Sequence, residues 1–308
     1  MTGIILHNYP QSPVAEKVRV GLGIKGLAWR SVEIPRLPPK PDLIPLTGGY
    51  RRTPVMQIGA DIFCDSQMIF RALEEIHPSP SFFPDGAAMT WGLSRWIDGE
   101  FFTLAVKLVL GSAGDALDPD FAADRGRLYL GTDWQARLAE ANEELPHYAA
   151  QVRAGLNWID HQLANWDFLT GTEPGYADAL LYHAVWFIRG RWAAGPEFLS
   201  EFPDLIGWED RVREIGHGDR SDLAAAEALD IARDAVTETP ETADPHDPQK
   251  LAPGDFVSIS PDLDGGEQAV EGRIRAVTAN MVAILREDDR VGEVCVHFPR
   301  AGYRVTRL

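Results

Sequence analysis

The first eighty residues alternate between runs that suit strands and runs that suit helices. Apolar residues are continuous or alternate over Ile4 to Asn8, Trp29 to Ile34, Pro54 to Ile58 and Asp61 to Phe63, whereas in Val14 to Ile24 and Ser66 to Ile76 they recur at three and four positions. The predicted order is β-α-β followed by β-β-α. Between these halves, Ser31 to Tyr50 carries five prolines and a Gly-Gly pair, which predicts loop with at most one short helix near Leu43. His77 to Asp85 carries three prolines and reads as a connection. Beyond it the spacing is helical to about Val236. Trp91, Ile97, Phe101, Leu104 and Leu108 are expected to form the buried stripe of one long helix, and further helices are predicted over Trp134 to Leu163, Ala177 to Ile188, Leu205 to Ile215 and Leu223 to Ala235.

Residues Thr237 to Lys250 are rich in proline, threonine and acid and almost free of aliphatic side chains, so they cannot bury a core of their own. The pattern then changes again. Phe256 to Ile259, Gly272 to Val277, Met281 to Leu285, Glu293 to Phe298 and Tyr303 to Val305 are short alternating runs separated by Asp-Gly-Gly, Asn and Asp-Asp turns. Five such strands predict a small all-β barrel, SH3-like or OB-like. The expected organisation is an α/β domain over 1–80, an all-α domain over 86–236, a linker over 237–250 and the β domain over 251–308.

Composition narrows the function. The 46 acidic against 29 basic residues give a net charge of -17, which repels phosphate backbones and anionic headgroups, so neither nucleic acid nor a membrane surface is an expected partner. The two cysteines, Cys64 and Cys295, have no CxxC spacing and no histidine has a partner at metal-ligand spacing, so no disulfide framework and no metal are assigned. Met1-Thr2-Gly3 runs directly into the apolar Ile4-Ile5-Leu6 without the basic and long apolar regions of a signal peptide, which makes the cytoplasm the expected compartment.

Two motifs carry candidate chemistry. Tyr9-Pro10-Gln11-Ser12-Pro13-Val14-Ala15-Glu16-Lys17-Val18-Arg19 places a hydroxyl where the first helix begins. Ser before Pro is a favoured N-cap, and free N–H groups and the helix dipole at the same place stabilise an anion. Arg52-Thr53-Pro54-Val55-Met56-Gln57-Ile58, ending in Cys64-Asp65-Ser66-Gln67-Met68-Ile69, places a proline at a strand start and an Asp-Ser pair at a helix start. In order and approximate spacing these segments resemble the glutathione-binding domain of cytosolic glutathione transferases. Phe168 to Ala179, with Gly175 in place of the family's hydroxyl cap and Asp178 retained, and Phe202 to Trp208 extend the resemblance through the helical region.

The resemblance covers about residues 4 to 235 and implies a thioredoxin-like N-terminal domain, an all-helical second domain and the use of glutathione as co-substrate. It implies that Ser12 stabilises the glutathione thiolate, with Tyr9 as the rival activator. Lowering a thiol pKa by about two units takes roughly 2.7 kcal/mol, within reach of one charge-assisted hydrogen bond and a helix end. It further implies a cis Pro54 that leaves Thr53 to pair with the cysteinyl unit, Asp65 and Ser66 at the γ-glutamyl group, and Arg52 or Arg51 at the glycine carboxylate. The implied reaction is attack on a small, mostly apolar electrophile held by the helical domain, with Trp91, Trp96, Phe101 and Phe102 as candidate lining, in a homodimer. A non-catalytic binding or assembly protein, or a glutathione-dependent reductase or isomerase, stays open. Cys64, Lys17, Arg19 and His297 are expected to be structural, with Lys17 and Arg19 on the outer face of the first helix. The tail around Gly292 to Tyr303 has no counterpart in the ordinary family and is expected to dock on the core.

Overall fold

A computed structural model of the chain describes residues 3–86, 89–263 and 265–308; Met1, Thr2 and the Asp264 expected to open a turn lie outside them. The chain forms two compact units, one of residues 1–18, 27–76 and 219–308, the other of residues 19–26 and 77–218.

The N-terminal strands and helices fall where the periodicity places them: β1 (Ile4–Asn8), α1 (Pro13–Ile24), β2 (Ala28–Glu33), the one-turn α2 (Ile44–Thr47), β3 (Val55–Ile58), β4 (Asp61–Cys64) and α3 (Ser66–Ile76); all lie in the first unit except the second half of α1. β1 pairs parallel with β2 and antiparallel with β3, and β3 pairs antiparallel with β4. This is the expected thioredoxin-like arrangement. A fifth strand, β5 (Asp219–Asp222), adds parallel to β2. Its four residues are polar and exposed, so no hydrophobic pattern announces it.

The five C-terminal strands are present, as β6 (Phe256–Pro261), β7 (Val270–Val277), β8 (Met281–Asp288), β9 (Gly292–Pro299) and β10 (Tyr303–Arg307). Their placement continues the sheet of the N-terminal elements. β9 pairs parallel with β4, Asp61 opposite Cys295 and Phe63 opposite His297, which gives one ten-stranded sheet in the order β10-β6-β7-β8-β9-β4-β3-β1-β2-β5. The physical reason is the edge of β4, whose unpaired backbone groups would otherwise face water; the Cys295 N–H donates to Ala60 O at 2.9 Å. One core follows, joining Ile5, Val32, Val55 and Ile62 to Val257, Ile284, Val296 and Phe298.

The expected linker is held as well. The Asp61 carboxylate accepts from Thr237 Oγ1 (2.6 Å), Thr239 Oγ1 (2.7 Å) and the Glu238 N–H (3.0 Å), and the Thr242 carbonyl accepts from the Val277 N–H. Polar bonds order a stretch that has no apolar side chains to bury. After β5, α12 (Ala225–Asp234) lies in this unit, its Ala228 carbonyl accepting from the buried Gln57 amide, whose oxygen meets His7 Nε2 at 2.8 Å.

The second unit is helical: α4 (Thr90–Arg95), α5 (Phe102–Ala113), α6 (Pro119–Leu130), α7 (Trp134–Glu143), α8 (Leu145–Leu163), α9 (Tyr176–Arg191), α10 (Gly195–Leu199) and α11 (Pro203–Ile215). The periodicity did not single out α6 or α10, and two further details depart from it. A π-helical turn over Trp96–Phe101 joins α4 to α5. The single helix expected over 134–163 breaks at Glu144, because Pro146 has no N–H to continue the ladder and instead occupies the first turn of α8. Phe101 and Phe102 are buried core residues.

Asp178 is the expected capping carboxylate. It is fully buried and accepts from the N–H groups of Gly175 (2.8 Å) and Leu169 (2.9 Å) and from Trp208 Nε1 (2.8 Å). Glycine replaces the family's hydroxyl cap for a steric reason, since a Cβ at position 175 would stand 2.7 Å from the Phe82 carbonyl oxygen.

Two stability predictions follow from these buried carboxylates. Asp178→Ala strands three donors and is expected to lower unfolding free energy by about 3 kcal/mol or more, measured by urea denaturation. The second concerns Asp61 and His297, whose Nε2 lies 3.0 Å from Asp61 Oδ1. Burial alone pulls His297 down, but Asp61 and Cys295 hold it up at about 9, above the ordinary 6.5. Burial likewise pushes Asp61 up, and its bonds to His297, Thr237 and Thr239 outweigh this and hold it below 3.8. The histidine contribution is therefore fully present below pH 6.5 and lost as pH rises through 9, while the Asp61 contribution persists until strong acid. A loss of roughly 3 kcal/mol between pH 6.5 and 9.5 is expected and should be absent from His297→Gln, as read by unfolding curves at each pH.

Candidate thiol-ligand site

Every residue singled out for the site lies in the first unit. Ser12 is 2 % exposed and sits at the head of α1: its carbonyl accepts from the Glu16 N–H at 3.0 Å and its Oγ accepts from the Ala15 N–H at 3.1 Å. Ser12 is thus an N-cap with Pro13 as the first helical residue. The capping bond uses an acceptor lone pair and leaves the hydroxyl proton available to donate. Tyr9 is buried one turn earlier, its carbonyl accepting from the Ser12 N–H.

The Thr53–Pro54 bond is cis. β3 begins at Val55, so Thr53 stands outside the strand ladder, and its Oγ1 accepts from Lys40 Nζ at 2.9 Å. Lys40 is 3 % exposed and lies over the Tyr9 ring at 5.7 Å, a cation that the loop reading of residues 31–50 did not single out.

At the end of β4 the chain turns sharply. Asp65 has φ +77°, one of two described non-glycine residues at positive φ. Asp reaches this region more readily than most side chains, and such positions cluster where function over-determines the backbone. The turn sets its carboxylate at the head of α3: Oδ1 accepts from the Gln67 N–H (2.8 Å) and Oδ2 from the Tyr303 hydroxyl (2.9 Å). Ser66 follows as the first residue of α3 and is buried. Cys64 is fully buried in β4, where burial and the neighbouring Asp65 charge push its thiol well above the ordinary value, which suits a core residue and not a nucleophile.

Residues from the C-terminal strands complete the surroundings. Arg52 forms a two-point ion pair with Glu267, Nε to Oε1 and Nη2 to Oε2, and Nη2 also donates to the Leu263 carbonyl at 3.1 Å. Arg51 Nη2 donates to the Gly265 carbonyl at 2.8 Å. Tyr303 and Tyr50 are both buried; burial, then the charge of Asp65, push both phenols well above their ordinary value. Sequence reasoning missed Glu267, Tyr50 and Lys40, and gave Tyr303 only a place in the tail, because their partners are distant in the chain. Lys17 and Arg19, expected on an outer face, are 1 % and 6 % exposed. A further group, Asp61, Cys295 and His297, brings ligand-type atoms within 4.8 Å of one another. Both Asp61 oxygens already accept hydrogen bonds there, so the group is described as a hydrogen-bonded network.

Residues 6–81 match the model of the glutathione S-transferase N-terminal domain and residues 133–211 that of the C-terminal domain. A glutathione S-transferase-like protein from Pseudomonas syringae, solved as a crystal structure, is 37 % identical with a TM-score of 0.79 over the full length of both chains. The chain belongs to the glutathione S-transferase family. More distant solved members share the fold over about two-thirds of this chain. A glutathione S-transferase from Rhodospirillum rubrum F11 is 22 % identical over 68 % of this chain and 87 % of its own, with a TM-score of 0.52. The enzyme CsGST63524 of Ceriporiopsis subvermispora, solved in complex with glutathione, is 18 % identical over 69 % and 96 %, with a TM-score of 0.51. No curated protein sequence matches the chain. Among the described residues no helix is long and apolar enough to cross a membrane.

Since Ser12 caps α1, Ser12→Ala is expected to lower stability by about 1 kcal/mol, visible as a small shift of the urea midpoint with unchanged slope.

Proposed function

We propose that this family member is a glutathione-dependent transferase that binds glutathione along Thr53, Pro54, Asp65, Ser66 and Arg52 and activates its thiol at Ser12. The observation that carries the reading is Asp65 at positive φ immediately before Ser66 at the head of α3, in the same unit as the cis Thr53–Pro54 bond and the Ser12 cap. An extended γ-glutamyl peptide offers an ammonium to a carboxylate, a carboxylate to a helix N-terminus and a backbone to Thr53.

The chemistry assigned to Ser12 is donation of its hydroxyl proton in a hydrogen bond to the glutathione sulfur. Together with the dipole of α1, this favours thiolate over thiol. The thiol proton leaves to solvent, and the sulfur lone pair forms the new bond to an electrophilic carbon, which either expels a leaving group or passes its π electrons to an acceptor atom. A serine cannot form a mixed disulfide, which sets thiol-transfer chemistry below conjugation. The electrophile is proposed to be small and mostly apolar, and the assembly a homodimer.

A second reading, a non-catalytic glutathione-transferase-fold binding protein, is favoured by one observation: Arg52 and Asp65 already hold partners from the C-terminal strands. Activity separates the two. With glutathione and a panel of electrophiles, Ser12→Ala is expected to lower the rate at neutral pH by about a hundredfold, the thiolate fraction lost for two pKa units. The rate should recover as pH rises past the free thiol's pKa, and glutathione affinity by calorimetry should change less than about threefold. An unchanged rate removes Ser12 from the mechanism, and absence of turnover with intact binding favours the second reading.

A further inference from the structure

Glu267 is an anomaly. It lies in the connection between β6 and β7, yet its side chain is 2 % exposed and its only described ion-pair partner is Arg52. A carboxylate is buried to that degree only where a cation and its hydrogen bonds replace water. The pair has the forked two-point geometry with which arginine takes a carboxylate from a ligand.

The neighbouring contact has the same character. Tyr303, at the start of β10, donates its hydroxyl to Asp65, and Phe298 packs against both it and Tyr50; Arg52 and Asp65 both act electrostatically on these two phenols. One cation and one anion therefore flank the same pair of tyrosines. Opposite charges so placed suit the two charged ends of the peptide, with the glycine carboxylate on Arg52 and the γ-glutamyl ammonium on Asp65. Both positions are at present filled by the chain itself.

Building on the glutathione reading, we propose that Glu267 is an internal competitor for the ligand's glycine carboxylate. Its carboxylate stands where the ligand carboxylate pairs with Arg52, and Tyr303 closes Asp65 in the same state. Glutathione binds when the Glu267 side chain leaves Arg52, so the β6–β7 connection sets the affinity of the site. Free Arg52 and Asp65 would bind the carboxylate and the ammonium of the peptide directly; with Glu267 in place, each binding event must first break a buried two-point ion pair.

Calorimetric titration of the full chain with reduced glutathione tests this on the parent, on Glu267→Gln, and on the double variant Glu267→Gln with Arg52→Gln. Gln fills the same volume without the charge. Glu267→Gln is expected to bind glutathione roughly tenfold tighter than the parent, and the double variant to lose that gain. Tyr303→Phe, which keeps the ring and removes only the hydroxyl on Asp65, is a second, independent variant with an expected gain of about threefold. Measurable binding by the parent with equal or weaker binding by Glu267→Gln and Tyr303→Phe overturns the competition and leaves the glutathione site standing. No binding by any of the folded chains overturns both.

Discussion

The parallel pairing of β9 with β4 is the constraint on which the rest of the first unit depends. β4 would otherwise end the sheet, with Asp61, Ile62 and Phe63 presenting an open edge. β9 closes that edge and brings four further strands with it. The buried Asp61–His297 pair and the stacking of Phe63 on His297, with ring centroids 4.4 Å apart, fix its register. A one-residue slip would carry His297 to the opposite face and leave a buried carboxylate without its cation. The same carboxylate holds Thr237, Glu238 and Thr239, so one side chain orders both the strand pairing and the approach to it.

This pairing also shapes the ligand site. Asp65 directly follows β4, so whatever lies beside β4 lies beside Asp65. With β9 in register, Phe298 packs between Tyr50 and Tyr303 at centroid distances of 6.0 and 5.7 Å, and the Tyr303 hydroxyl reaches Asp65. The proposed competition by Glu267 has the same origin, because β6 and β7 belong to the sheet that β9 anchors. More distant members of the family match only about two-thirds of this chain, whereas the Pseudomonas syringae protein matches all of it.

What was legible in the sequence was local. The bounds of α3, the cap at Ser12, the proline of the Thr53–Pro54 bond and the Asp65-Ser66 helix start are each written within a few residues, and the structure places all of them in one unit. Asp178 was legible for the same reason. The contacts that alter the site were not. Glu267 meets Arg52 across 215 positions, Tyr303 meets Asp65 across 238, and His297 meets Asp61 across 236, with no shared pattern in the chain. Strand β5 was invisible because all four residues are exposed and its pairing is purely backbone. The C-terminal strands were legible as strands, and the tail as docked on the core, but alternation does not say which edge a strand seeks, so the pairing of β9 with β4 was not legible.

The central claim is that β4 and β9 make the C-terminal strands part of one cooperative unit with the thioredoxin-like elements β1 to β4. Native-state hydrogen exchange in increasing denaturant measures this directly. The account predicts that the Cys295 amide, bonded to Ala60, and amides of β1 and β3 share one large opening free energy and exchange through the same unfolding event. Exchange of β6 to β10 at a distinctly lower free energy, with β1, β3 and β4 still protected, would contradict it.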